Sequence, residues 1–371
     1  MGTLVISDLH LGVRSGADVL GRKLALDALC ARLDGVDRLV LLGDTLELRH
    51  GPARVALAAA EPVMRAIGAA LGPGGEVVVL AGNHDHALVA GWLDWRGRRE
   101  TPAPLGLEQR VAPQHASWIA KRLAGWLSPA SVEMAYPGIW LRDDVYAMHG
   151  HYLDIHCEIP TLEVLGARAM ARVVGPVPDP ATPDDYEALL APIYAWIQAS
   201  AQRSSPKRKS AGGGTAIKVW NLLEGPGPRY TPARGAMRAG FRLGVAAANR
   251  AGLGPVRPQL GGVALRRAGL AGLAEAARRL DAQPAHLLFG HTHRTGMLPG
   301  DDAAEWRTAA GTRLHNSGCW VYETHFMGDA PAGVSPYWPG GAIAIDESGP
   351  PRLERLLGDL GAELLSPARR E

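Results

Sequence analysis

Three short apolar runs, at residues 4–7, 38–42 and 76–80, alternate with two amphipathic stretches near 19–33 and 53–70, the second ending at Gly72-Pro73-Gly74-Gly75. Strand-length runs separated by helix-length periodic segments predict a β-α-β-α-β unit, hence a largely parallel sheet with helices packed on it. In such a sheet the loops leaving the carboxyl ends of the strands carry the ligand-binding groups. Five polar motifs occupy that position: Asp8-Leu9-His10, Gly43-Asp44, Gly82-Asn83-His84-Asp85, His149-Gly150-His151 and Gly290-His291-Thr292-His293. The last two follow strand-like runs at residues 145–148 and 286–289.

Residues two apart on an extended segment face the same side, so Asp8 with His10, and His291 with His293, are expected to aim two side chains at one point. Carboxylate oxygen, imidazole nitrogen and the Asn83 amide oxygen form a mixed donor set. It suits Mn, Fe or Zn, and is too rich in nitrogen for calcium or magnesium. Seven candidate ligands exceed what one ion usually takes from protein, which implies two ions. Each motif alone is a weak signal, since an isolated histidine is more often a hydrogen-bonded structural residue. Five in order at strand ends are specific.

With these motifs the chain resembles the calcineurin-like metallophosphoesterases over roughly residues 1–95, 138–155 and 284–347. The resemblance implies an α/β fold: a two-sheet αββα sandwich with a dinuclear metal centre, here carrying a long, partly helical cap insertion. It implies that Asp8, His10, Asp44 and His293 hold one metal, that Asp44, Asn83, His149 and His291 hold the other, and that Asp44 bridges. Manganese is the favoured ion. His149 is preferred over His151 because the family places the ligand before the glycine, leaving His151 behind the ligands or facing substrate. His84 is the implied non-ligand histidine beside the scissile phosphorus, and Glu47 stands where many members carry an aspartate that orients it. The implied reaction is hydrolysis of a phosphate ester or pyrophosphate, with metal-activated hydroxide attacking phosphorus in line and His84 assisting as proton donor. His50, His86 and His156 are expected to be ordinary polar surface.

The expected organisation is a core of residues 1–151 and 284–350, a cap insertion at 152–283 and a C-terminal tail at 351–371. Residues 341–346 read as a last strand. A helix near 116–127 spaces Trp118, Arg122 and Trp126 four apart beside Ile119, Leu123 and Leu127, and is expected to pack into the core. Residues 176–183 and 204–214 read as loops. Net charge is +2, but residues 203–267 hold thirteen Lys or Arg against the single acid Glu224, a local charge of +12 that leaves the rest of the chain at −10. Arg234, Arg238 and Arg242 recur every four residues there, as on a basic amphipathic helix. Such a segment suits an anionic phosphate-containing substrate, or an anionic lipid or membrane surface. Nucleic acid has only this segment in its favour.

The cap placement, with Ser7-Asp8-Leu9-His10 and Gly290-His291-Thr292-His293-Arg294, is similar to the UDP-2,3-diacylglucosamine pyrophosphatase branch. That branch usually carries arginine where His84 stands, and its lid is much shorter. A lipid-precursor hydrolase of that kind and a nuclease of the same fold are therefore the alternatives. A noncatalytic scaffold is remote, because the chain keeps every ligand and the histidine. No run of about 18 uncharged apolar residues occurs, and the start has neither the basic residues nor the apolar stretch of a secretion signal. A cytoplasmic location, peripheral to the membrane at most, is expected. Cys30, Cys157 and Cys319 lie more than 100 residues apart and form no CxxC pair, so they are expected to be buried apolar residues.

Overall fold

The computed structural model describes residues 2–203, 232–259, 261–327 and 333–367. These residues fall into two compact units, one of residues 1–151, 194–206 and 282–371, the other of residues 152–193 and 207–281. The stretch 194–206, expected within the insertion, groups with the first unit.

The first unit is built on strands β1 (Thr3–Ile6), β2 (Arg38–Leu42), β3 (Glu76–Leu80), β4 (Glu108–Val111), β5 (Ser131–Arg142), β6 (Val145–Met148), β7 (His286–Phe289), β8 (Thr295–Gly296), β9 (Arg313–Ser317), β10 (Gly341–Ile345) and β11 (Arg352–Arg355). Their hydrogen-bonded order is β11-β10-β1-β2-β3-β5-β6-β7-β9-β8, with β4 also on β5. Neighbours β1, β2, β3 and β5 are parallel, while β10 runs antiparallel to β1.

Strand β5 belongs to two ladders. Ser131–Ala135 pairs with β3, and Gly138–Arg142 pairs antiparallel with β6, from which β7 and β9 continue in parallel. Gly138 permits the change of partner, because a Cβ there would collide with the Tyr146 ring on β6. Side chains from both ladders meet in one apolar cluster: Val5, Val40, Val78 and Ile343 from the first, Ile139, Val145, Ala147 and Leu288 from the second. This is the interior of a two-layered sandwich. The alternate residues Leu4, Ile6, Leu39, Leu41, Val77 and Val79 pack on the other side into a second cluster. That cluster includes buried side chains of α1 (Lys23–Arg32), α2 (Ala53–Leu71), α3 (Ala87–Gly97) and α5 (Trp118–Leu127), the short α4 (Pro113–Ala116) preceding α5. Burial on both faces explains why β1 to β3 read as unbroken apolar runs.

Several expectations need correction. On α5, Trp126, Ile119, Leu123 and Leu127 are buried, but Trp118 is exposed. Residues 351–371 begin with a strand, not a tail, since β11 extends the sheet beside β10. Cys157 and Cys319 are buried, whereas Cys30 is half-buried.

In the second unit, α6 (Leu153–His156), α7 (Leu162–Val174) and the first part of α8 (Pro183–Gln202) accompany helices Pro232–Ala248 and Gly262–Arg279. Among its described residues there is no strand. Arg234, Arg238 and Arg242 do lie on one helix, Pro232–Ala248, with Val245 buried and Met237 exposed. Residues 204–231 of the basic segment, including the loop expected at 204–214, lie outside the described residues. No helix among the described residues is long and apolar enough to cross a membrane.

Candidate metal centre

All of the expected ligands sit just beyond the carboxyl ends of β1, β2, β3, β6 and β7. Asp8 and His10 do not converge by extended geometry, as the spacing suggested. Asp8, His10, Asp44, His291 and His293 all have positive φ, from 45° to 65°, and they are five of the six described non-glycine residues that do. Left-handed backbone costs an L-residue about 1–2 kcal/mol, and such strain concentrates at functional sites. Close approach makes Gly82 obligatory, since a Cβ there would collide with Asp44 Oδ1.

Two groups of potential ligand atoms result. Asp8, His10 and His293 bring one atom each within 4.8 Å of one another, as do Asp44, His149 and His291. In the first, His10 Nε2 lies 3.0 Å from His293 Nε2, and His293 Nε2 lies 3.4 Å from Asp8 Oδ1. In the second, His149 Nε2 lies 3.3 Å from Asp44 Oδ2, and Asn83 Oδ1 lies 3.3 Å from His149 Nε2 and 3.1 Å from His291 Nδ1. Asp44 Oδ2 is also 3.6 Å from His10 Nε2, so this carboxylate stands between the groups. His10, Asp44 and His84 form a third such group.

The donor chemistry fits cations. His149 Nδ1 donates to the Leu42 carbonyl at 2.9 Å, which leaves Nε2 as a lone pair facing the oxygens of Asp44 and Asn83. Buried Asp8 Oδ1 accepts no hydrogen bond. Facing acceptors repel unless positive charge lies among them. The charge balance around the imidazoles makes the same demand. Burial lowers His149, yet Asp44 and Asp8 raise it to about 9. His10 is likewise raised well above its ordinary value, against burial, by Asp8, Glu47 and Asp44. Asn83 reports it too: turned over, its amide would donate to this cluster while its oxygen accepted from Arg49 Nη1 at 2.7 Å.

Behind the ligands, buried Glu47 sets one oxygen against three imidazoles. Oε2 lies 2.8 Å from His84 Nδ1, 3.2 Å from His10 Nδ1 and 3.2 Å from His50 Nδ1. Burial opposes ionisation, but these histidines hold Glu47 well below the usual carboxylate range. His84 donates its backbone N–H to Asp44 Oδ1 at 2.8 Å, and burial, reinforced by Arg49 and His10, pushes its imidazole down to about 4.

Four contributors escaped the sequence reading. Asp85 accepts from the backbone N–H groups of Thr45, Leu46 and Gly82 at 2.7, 3.1 and 2.8 Å, tying the β2 loop to the β3 loop. Asn316 donates to the Gly290 carbonyl and to Thr292 Oγ1, fixing the β7 loop. Glu323 Oε2 lies 3.6 Å from His293 Nδ1, and Arg49 borders Asn83. Asp85 was visible within its motif; Asn316 and Glu323 come from distant segments with no local signal.

The three histidines expected at the surface are not plain surface. His86 is buried against the rings of Tyr136 and Tyr194, and His50 faces Glu47. His151 is buried, with Nε2 3.3 Å from Tyr136 Oη, and so does not face outward. His156, in the second unit, meets Tyr186 Oη at 2.8 Å, and burial pushes it to about 4.

The family profile of calcineurin-like phosphoesterases matches residues 1–195, more than half of the chain. The structure is also similar to the crystal structure of a dimetal phosphatase from Danio rerio, at 12% identity and a TM-score of 0.32, covering 94% of this chain and 93% of that one. No curated protein matches this sequence.

Proposed function

We propose, for a chain that belongs to the calcineurin-like phosphoesterase family and is a metal-dependent phosphoester hydrolase, a specific division of labour among its residues. Asp8, His10, Asp44 and His293 hold one divalent ion, and Asp44, Asn83, His149 and His291 hold a second. The observation that carries this reading is the pair of ligand groups joined by Asp44, five of whose six residues are in left-handed conformation. Ions bound there supply Lewis acidity and a nucleophile available near neutral pH. The mixed oxygen and nitrogen donor set suits manganese, iron or zinc better than calcium or magnesium.

The chain's own groups do the rest. Glu47 accepts a hydrogen bond from His84 Nδ1–H, which leaves Nε2 as the nitrogen available to a phosphoryl oxygen or a leaving group. Arg49, beside Asn83, offers a guanidinium suited to a nonbridging phosphoryl oxygen. The substrate class is a phosphate ester or pyrophosphate.

The test is metal content after reconstitution with excess Mn²⁺. Two ions per chain are expected, with activity against at least one of a monoester, a diester, a nucleotide diphosphate sugar and single-stranded DNA. Asp44→Asn is expected to abolish activity and to reduce occupancy at both positions. A stoichiometry of one or zero in the native chain overturns the dinuclear assignment.

A further inference from the structure

Besides Trp196, two tryptophans of the first unit stand outside its core. Trp95 is 60% exposed and Trp118 61%, although indoles are on average among the more buried side chains. They are neighbours through the backbone. A Cβ on Gly91 of α3 would lie 3.4 Å from the Ala116 carbonyl oxygen. Trp95 follows Gly91 by one helical turn on that same face, and Trp118 opens α5 two residues after Ala116.

Cations gather around the indoles. Arg98 and Arg99, at the end of α3, and Lys121 and Arg122, on α5, are exposed, and Arg96 is half-buried. The Arg99 guanidinium lies 5.3 Å over the Trp95 ring. Against these five cations stand only Asp94 and Glu100 in the same stretches, on a chain whose charge outside residues 203–267 sums to −10. The result is a basic and aromatic patch on the part of the chain, outside residues 203–267, that is otherwise acidic.

We propose that this patch docks on an anionic lipid bilayer. Headgroup regions mix polar and apolar character and accept an indole, whose ring is apolar and whose N–H is polar. Lys and Arg beside it meet lipid phosphates while their aliphatic stems lie along the acyl boundary. A single-stranded nucleic acid would call for a run of stacking rings along a continuous basic groove, whereas here two indoles sit on adjoining helices. The patch contains none of the metal-centre residues, so the proposal stands apart from the hydrolytic reading.

The experiment is co-sedimentation of the full-length, Mn-loaded protein with vesicles of phosphatidylcholine alone or mixed with phosphatidylglycerol. Partition onto the mixed vesicles is expected to be about tenfold stronger or more, and to weaken as salt is raised, because attraction to the surface fades within a Debye length. The double variant Trp95→Ser with Trp118→Ser is expected to lose about tenfold of that partition, and the quadruple variant of Arg98, Arg99, Lys121 and Arg122 to Gln to lose the preference for anionic vesicles. Both should hydrolyse p-nitrophenyl phosphate as the native chain does. The proposal is overturned by absence of binding, or by equal binding of native and variant chains. It is equally overturned if the variants instead convert a dimer to a monomer, or lose retention on a single-stranded oligonucleotide while vesicle binding persists.

Discussion

A single carboxylate oxygen shared by three imidazoles makes Glu47 the residue on which the site's proton arrangement turns. One of those imidazoles, His84, is assigned to proton chemistry; another, His10, to metal binding. His84→Ala is therefore expected to lower turnover by about 10² or more while leaving metal content unchanged. Since His84 also forms a potential ligand group with His10 and Asp44, loss of an ion in that variant would reassign it as a ligand. Glu47→Gln is expected to lower turnover and also to weaken metal affinity by about 10- to 100-fold, because it removes the partner that orients His10. Elemental analysis alongside kinetics separates the two effects. The motifs named the ligand types and Glu47 from the sequence alone. They did not disclose that five ligands adopt left-handed backbone, because the φ angle follows from how each loop is gripped: the β2 and β3 loops by Asp85 through four backbone N–H groups, Asp44's among them, and the β7 loop by Asn316 of another strand through a carbonyl and a hydroxyl.

Elements buried on both faces were legible, because β2, β3, β6 and β7 are apolar after a leading Arg38, Glu76 or His286 in three of them, and the predicted runs coincide with the observed strands. The twelve-residue β5 was not. Its interior holds Glu133 and Pro137-Gly138, and it works as two half-strands with different partners, a division that no local periodicity encodes. Adjacent strands β7 and β9 carry a contact with a measurable consequence. His286 Nδ1 and His315 Nε2 lie 2.9 Å apart, and burial, aided by His286 and Arg313, pushes His315 down to about 4. Its unfolded value is about 6.5. As pH falls the unfolded chain takes up the proton first, so the contribution to stability is whole above about pH 6.5 and is lost progressively toward pH 4. Urea unfolding between about pH 7.5 and 4.5 is expected to show a shallower loss of stability in His315→Gln than in the native chain, a difference on the order of 2 kcal/mol. Parallel slopes would show that His315 already carries its proton in the fold.

For the molecule as a whole, the dominant feature is the separation of charge, +12 within residues 203–267 and −10 elsewhere. Fields of this kind act beyond contact distance and raise the local concentration of anions. The chain departs from the first unit at His151, two residues past His149, rejoins it over residues 194–206, and returns finally at residue 282, nine before His291. The basic segment thus lies within the stretch of chain between β6 and β7, the two strands whose loops carry His149, His291 and His293. Neutralising Arg234, Arg238 and Arg242 together, as Gln, is expected to raise KM several-fold for a substrate with two or more phosphates, and much less for p-nitrophenyl phosphate. A small monoester offers less charge to the field, while the chemistry at phosphorus is untouched, so kcat should change little for either. The difference should shrink as ionic strength rises, since attraction beyond about 8 Å is largely screened at physiological salt. Equal changes for both substrates, or no change, would show that these arginines form a solvated face or bind a partner, and that substrate charge is read by Arg49 and the metal centre alone.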